Sequence, residues 1–407
     1  MKLSLNPYQK LNMLEFVSLM ALLMSMAALA IDAMLPALPI IGEELGVVDP
    51  NHNQFIITSL FIGMSLGMTF YGPLSDTFGR RKVIGFGITL FTVGNIVAIS
   101  THNFEIMLLG RFFQGLGAAS TRIVSMAMIR DMYVGNTMAR VMSLINMVFI
   151  IVPTIAPTLG AIILSFSHWR GIFIIFIVLS LFGLTWLLLR QPETLSYEHR
   201  KPFRISYFKT AIAKVFSHPQ SLGYAIASGL VFGAFLGYLI SSQQIFSVVF
   251  GLEKEFPYIF GGLALTIGVA SFINSRLVER VGMAKLTKWG TLGILFSSIW
   301  YFLLLVLSDF KPDIISFMIF LIPCFMCVGV LFGNLNSLAM EPMGDMAGVA
   351  ASIISTINNI ISIGFGSLIG SQFRGTITPL VLGFLVLSTL TLITILWVQR
   401  TAPHIEE

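Results

Sequence analysis

Residues 105–133 read EIMLLGRFFQGLGAASTRIVSMAMIRDMY, and the reading of this stretch decides the fold. From Ile106 to Ile129 it is long enough to cross a bilayer, which takes about 20 residues. It nevertheless carries two arginines, Arg111 and Arg122. A guanidinium at mid-bilayer costs about 2.5–3.5 kcal/mol even on the mildest insertion scales, so such a residue faces a bundle interior or a wet cavity. The two arginines are eleven residues apart, which places them on one helical face about 16 Å apart along the axis. Gly115, Gly117, Ala118 and Ala119 lie between them and allow neighbouring helices to come close. A lipid-facing helix would carry neither arginine, so this one is expected to line something polar.

The rest of the chain fits that setting. Its 407 residues are 56% hydrophobic and 11% charged, with mean hydropathy +0.88; a soluble globular chain runs near 25% charged. We read twelve spans: residues 11–41, 53–72, 83–100, the quoted helix, 141–164, 171–189, 222–250, 256–274, 289–307, 314–340, 349–371 and 377–398. Ala28–Ala30 mimics a signal-peptide cleavage site, but the apolar run continues past it to Asp32, Pro36 and Pro39, so the first span is expected to be retained. The formal charge of +5 is spread over short connecting loops and does not form a nucleic-acid patch. Cys324 and Cys327 share one span with no intramembrane His, so they read as small buried side chains and no metal site is expected. With the N-terminus cytoplasmic, eighteen basic residues fall on the inner side and four (Arg170, Lys254, Lys311, Arg374) on the outer side. The positive-inside rule then puts both termini in the cytoplasm.

Residues 191–221 form the longest hydrophilic segment and contain Pro192, Pro202 and Pro219. The expected organisation is an N-terminal six-helix bundle over 1–195, a cytoplasmic linker over 196–221 and a C-terminal six-helix bundle over 222–407. Within the linker, Phe208, Ile212, Val215 and Phe216 recur at helical spacing opposite Lys209 and Lys214, the pattern of a helix lying on a membrane surface. The halves repeat at an offset of 203: Leu74/Leu277, Asp76/Glu279, Gly79/Gly282 and Lys82/Lys285 match in kind. Six spans repeated in parallel are a transporter signature.

These residues carry a family resemblance. GPLSDTFGRRK at 72–82 resembles the cytoplasmic loop signature of the major facilitator superfamily. LLGRFFQGLGAA at 108–119 resembles its fourth-helix motif. PTIAPTLGAII at 153–163 resembles the fifth-helix motif associated with antiporters, with Ala156-Pro157 where Gly-Pro is usual. IDAMLPALPII, IRDMY and HWRGIF look like the Bcr/CflA-type drug:proton antiporters. The resemblance implies an all-α membrane protein of two pseudo-symmetric six-helix bundles, working as a monomer in a bacterial inner membrane by alternating access. It would be driven by the proton gradient without a cofactor and would export small amphipathic organic compounds of the chloramphenicol or bicyclomycin kind. It also implies a packing motif of Gly72, Gly79, Gly115, Pro153, Pro157 and Gly160. An inner gate is implied too, with Arg80 bridging to Asp131, Asp76 facing the start of span eleven, and Arg130 beside them. A dedicated metabolite exporter, for instance of a siderophore, or an organic-anion exchanger using Arg111 and Arg122, is the alternative. No span pairs groups suited to enzyme catalysis.

The residues themselves point to one proton site. Of nineteen acidic residues only Asp32 lies well inside a span, about 14 Å from its outer end. Arg111 falls at similar depth, within a long side chain's reach. A nearby cation favours an ionised carboxylate and desolvation favours a protonated one, so a group held between the two could switch when a cavity wets it. A static ion pair joining helices one and four is the plainer reading. Glu15 sits near the inner start of span one, about 100° round the helix from Asp32, and reads as structural. Arg122, Tyr238, Gln243, Gln244, Asn334 and Asn358 are the candidate polar handles of a substrate cavity, although most polar residues in spans join helices.

Overall fold

The computed structural model describes residues 11–200 and 205–401. Lys2, Lys10, Lys201 and Arg204, four of the cations behind the predicted orientation, lie outside them, as do Pro202 and the side chain of Phe208. Among the described residues all regular structure is helical. In chain order the α-helices are α1 (Met13–Asp32), α2 (Leu38–Glu44), α3 (Phe55–Phe78), α4 (Arg80–Ser100), α5 (Phe104–Met132), α6 (Gly135–Phe166) and α7 (Arg170–Arg190). They continue with α8 (Ile205–Ser217), α9 (Pro219–Gln244), α10 (Phe256–Val281), α11 (Met283–Leu307), α12 (Ile314–Met340), α13 (Ala347–Ser371) and α14 (Thr378–Thr401).

Among the described residues ten segments are long and apolar enough to cross a membrane. The other two long helices are α5, whose polar face dilutes its hydropathy, and α6, which keeps an apolar stretch at Ile151–Phe166. The chain divides into two compact units at Ile205/Ser206, and each holds six of the twelve long helices. The dividing point falls inside the predicted linker, just as its short helix α8 begins. Ala211 and Val215 of α8 are buried, while Ile212 and Phe216 are exposed.

In the first unit α5 is the central helix, packed along α3 on one side and α4 on the other and touching α1. Small residues make this possible. A Cβ on Gly115 would come within 2.0 Å of the Leu60 carbonyl oxygen, and one on Gly117 within 2.3 Å of the Phe91 nitrogen; neither distance is compatible with a side chain. The first span is broken where a single helix was expected. α1 ends at Asp32, a short 3₁₀ turn follows at Leu35–Ala37, and α2 resumes at Leu38. Pro36 and Pro39 cannot donate backbone hydrogen bonds and account for the interruption. α6 closes on this break, because a Cβ on Gly160 would approach the Ala33 carbonyl oxygen to 2.1 Å.

The second unit is built around α9, which packs on α12, α13 and α14. The internal repeat holds in backbone geometry. Gly79 joins α3 to α4 at φ 97°, ψ 149°, and Gly282 joins α10 to α11 at φ 87°, ψ 148°. Only glycine adopts such angles without strain, which is why this residue survives in both copies while the residues around it diverge.

Candidate functional site

Asp32 is the last residue of α1 and is buried at 5% exposure. No hydrogen bond or ion pair reaches its carboxylate among the described residues. The expected pair with Arg111 is therefore not formed. Arg111 does come to this level of α1, but it binds backbone there. Its Nη2 donates to the Ala30 carbonyl at 2.9 Å, its Nε to the Ile56 carbonyl at 3.1 Å, and its Nη1 to Gln114 Oε1 at 2.5 Å. Gln114 in turn donates to Asn95 Oδ1 at 2.8 Å, and Asn95 to the Phe91 carbonyl at 2.7 Å. The guanidinium is 0% exposed and lies 5.9 Å from the centre of the Phe173 ring. Three acceptors from α1, α3 and α5 satisfy it, so a packed bundle interior, one of the two settings the sequence allowed, accommodates the charge. Arg122, further along α5, is half-buried.

Glu15 is bound at the other end of α1. Arg190 Nε and Nη2 donate to its two carboxylate oxygens at 2.8 and 2.9 Å, and Trp186 Nε1 donates at 3.3 Å. This fork ties α1 to α7, in keeping with the structural reading of Glu15. At the opposite end of the same unit Glu44 accepts from Trp169 Nε1 at 2.7 Å and from Arg170, and His168 Nε2 lies 2.9 Å from its Oε2. Arg170 also donates to the carbonyls of Ile99 and Thr101 at 3.0 and 3.1 Å. The His-Trp-Arg run of the sequence thus fastens α2 and α4 to the start of α7.

Arg80 and Asp131 pair as expected, Nε to Oδ2 at 3.0 Å, across α4 and α5. Arg80 also contacts Asp76 and donates to Ser75 Oγ at 2.7 Å. Arg130 is exposed and forms no ion pair among the described residues. A third acid, which sequence reasoning missed, completes the cluster. Glu193 accepts backbone N–H bonds from Arg80 (2.8 Å), Arg81 (3.2 Å), Thr194 (3.1 Å) and Leu195 (3.1 Å). It thereby caps the exposed donors at the start of α4, where a negative charge is also favoured by the helix dipole. Thr194 Oγ1 adds a 3.0 Å bond to Asp131. A Cβ on Gly79 would lie 2.5 Å from the Glu193 carboxylate, so this glycine serves both turn and clamp. Gly72 differs: it lies within α3, and a Cβ there would meet its nearest atom at 3.9 Å. Close packing therefore does not require glycine at this member of the implied packing motif. Pro153 and Pro157 both fall inside α6.

Replacing Arg80 or Asp131 by Ala removes one arm of this cluster and leaves the other partly unpaired. We expect each variant to raise thiol labelling of a cysteine placed at Ala127 in a Cys324→Ala, Cys327→Ala background, with transport rate falling more than substrate affinity, since a latch biases conformations without touching solute. Unchanged labelling and turnover would show that the cluster only holds loop to helix.

The candidate cavity residues are distributed and mostly engaged. Asn334 of α12 and Asn274 of α10 exchange two amide bonds, at 2.9 and 3.1 Å. Asn358 of α13 donates to Ser228 Oγ of α9 at 2.5 Å. Both asparagines therefore join helices. Gln243 donates weakly to Ser247 at 3.4 Å, and Gln244 ends α9 where a turn of π-helix begins at Ile245. Tyr238 is buried against Phe325, ring centres 4.8 Å apart and edge-on, and Phe260 at 6.0 Å.

Comparison with known proteins agrees with this architecture. The chain is 28% identical over 367 residues to the bicyclomycin resistance protein homolog of Haemophilus influenzae, covering 90% of this chain and 91% of that one. It is 25% identical over 359 residues to multidrug resistance protein D of Escherichia coli K12, covering 84% and 85%. Among solved structures, a D-xylose-proton symporter shares the fold with a TM-score of 0.74 at 13% identity, over 96% of this chain and 97% of that one. Residues 20–367 match the Major Facilitator Superfamily model, and the chain belongs to that superfamily.

Proposed function

We propose that this protein is a proton-coupled antiporter that exports small, amphipathic organic compounds from a bacterial cytoplasm, working as a monomer in the inner membrane with both termini inside. The observation that carries this reading is Asp32, a buried acid at the break in α1 that forms no ion pair among the described residues. Broken helices in transporters expose backbone where ions and substrates bind. A carboxyl group there is able to exchange its proton with whatever enters, because no direct ion pair with a described residue holds it in one charge state. The names borne by the relatives, one for bicyclomycin resistance and one for multidrug resistance, support a drug-like solute of the chloramphenicol or bicyclomycin kind. No bound cofactor is needed, since the proton gradient supplies the energy.

The organic-anion alternative finds less support, because all three guanidinium nitrogens of Arg111 are already engaged by carbonyl oxygens. A metabolite exporter would use the same coupling site with a narrower cavity. The test is transport by the purified full-length protein in proteoliposomes under an imposed pH gradient. Chloramphenicol should accumulate against its own gradient only when protons can flow in exchange. Accumulation that persists after a protonophore collapses the gradient would overturn proton coupling; no movement of any neutral or cationic drug beside clear movement of an organic anion would overturn the substrate class.

A further inference from the structure

The start of α4 and the end of α7 enclose a groove of about 350 Å³. Its α4 wall is Arg81, Gly85 and Thr89, set at steps of four residues and so on one helical face. Leu184 and Leu188 of α7 form the opposite wall, and Lys82, Glu193 and Arg200 complete the lining. The cations therefore stand at the helix ends while the apolar lining runs into the membrane-spanning part of both helices. The outer flanks are exposed and greasy: Phe86, Leu181, Phe182 and Leu189 all face outward.

Two features mark this groove as built to receive something. Arg81 Nε and Arg200 Nε are buried donors with no hydrogen-bond partner among the described residues, an arrangement that is costly unless an acceptor arrives. Arg81 Nη2 is held by the Leu188 carbonyl, and the Arg200 guanidinium lies 5.3 Å from the Tyr197 ring, so both side chains are positioned. The one acid in the lining, Glu193, already accepts four backbone N–H bonds and faces three cations. The second feature is Gly85. A Cβ there would meet Leu184 Cδ1 at an ordinary 3.7 Å, so close helix packing does not require glycine. Its effect is to leave the groove floor open.

We propose that this groove is a binding site for one anionic phospholipid, with the phosphodiester on Arg81, Lys82 and Arg200 and the upper part of one acyl chain along Gly85, Thr89, Leu184 and Leu188. Basic pockets between membrane helices select anionic headgroups by charge, and the apolar floor adds the requirement for a chain. The lipid would supply the acceptors that Arg81 and Arg200 lack, and would join α4 to the segment after α7 beside the Arg80–Asp131 cluster. The reading does not depend on what the protein transports.

Native mass spectrometry of the full chain, titrated with dioleoylphosphatidylglycerol, dioleoylphosphatidylethanolamine or glycerol 3-phosphate, tests it. One saturable phosphatidylglycerol adduct is expected, bound about tenfold more tightly than the phosphatidylethanolamine adduct. Arg200→Gln should weaken it by about as much through charge, and Gly85→Leu by filling the floor with every cation retained. Arg200 lies outside the helices, so that variant keeps the test open if the Gly85 variant does not fold. Equal binding of the two lipids would overturn the proposal. So would an adduct unaffected by Arg200→Gln or by Gly85→Leu in folded protein, or full displacement by glycerol 3-phosphate, which would make this a site for free phosphate alone.

Discussion

Asp32→Asn is expected to abolish accumulation of substrate against a gradient while leaving the protein folded and inserted. The amide matches the carboxyl in size and can still hydrogen-bond, but it cannot take up or release a proton. Because no described residue pairs with Asp32, the substitution strands no cation and orphans no donor, which are the usual reasons that altering a buried acid unfolds a protein. The α1 break around it is set by Pro36 and Pro39 and by the contact of Gly160 with Ala33, none of which the substitution touches. The variant should therefore behave as an uncoupled carrier: it should exchange substrate down a concentration gradient, and an imposed pH gradient should add nothing. Both quantities are read in the same proteoliposomes, with a monodisperse gel-filtration profile as the control for folding. Uphill accumulation at the wild-type level would remove Asp32 as the proton site. Loss of counterflow as well would mean that Asp32 also holds substrate.

Much of this was legible in the sequence, and what was missed has a common physical cause. The arginines of α5 announced a helix surrounded by protein, and the glycines between them announced close neighbours; both follow from side-chain size and charge and can be read locally. Gly79 and Gly282 marked the repeat because a positive φ restricts the residue type wherever it occurs. The Arg80–Asp131 pair came from the family resemblance and was found as expected. The partners of Arg111 were not legible. Two of them are the carbonyls of Ala30 and Ile56, and a backbone acceptor leaves no trace in the residue type. Counting depth along two helices brought Arg111 to the right level of α1, but it could not distinguish a carboxylate from a carbonyl two residues away. Glu193 was hidden for a different reason. It meets Arg80 across 113 residues, from a polar stretch whose composition says only that it is a loop. Asn334 and Asn358 were read as possible handles because an amide in a span looks the same whether it faces a solute or another helix.

The bonding of Arg111 leads to a second large effect that separates two accounts of this residue. If Arg111 served Asp32 by charge alone, lysine would preserve much of its function, because the cation would remain at the same depth. The observed geometry predicts otherwise. The planar guanidinium reaches three acceptors on three helices, at 2.9 Å to α1, 3.1 Å to α3 and 2.5 Å within α5. A lysine ammonium is a single point with three rotatable donors and cannot span them. It would also be a buried charge with incomplete hydrogen bonding, which costs roughly 3–5 kcal/mol. Arg111→Lys should accordingly destabilise the detergent-solubilised protein about as much as Arg111→Ala, and Gln114→Ala, which removes one acceptor, should fall between these variants and wild type. Thermal unfolding monitored by Trp fluorescence or by loss of monodispersity reads this order. The folded fraction of Arg111→Ala supplies the decisive measurement, proton release on adding substrate across a pH series, because it removes the charge that lysine would keep. With no pair to Asp32 among the described residues, the midpoint of that curve should coincide with wild type, and the signal should vanish in Asp32→Asn. A shifted midpoint in Arg111→Ala would mean that the two groups do sense each other, and that the packed arrangement described here gives way during transport to one in which they pair.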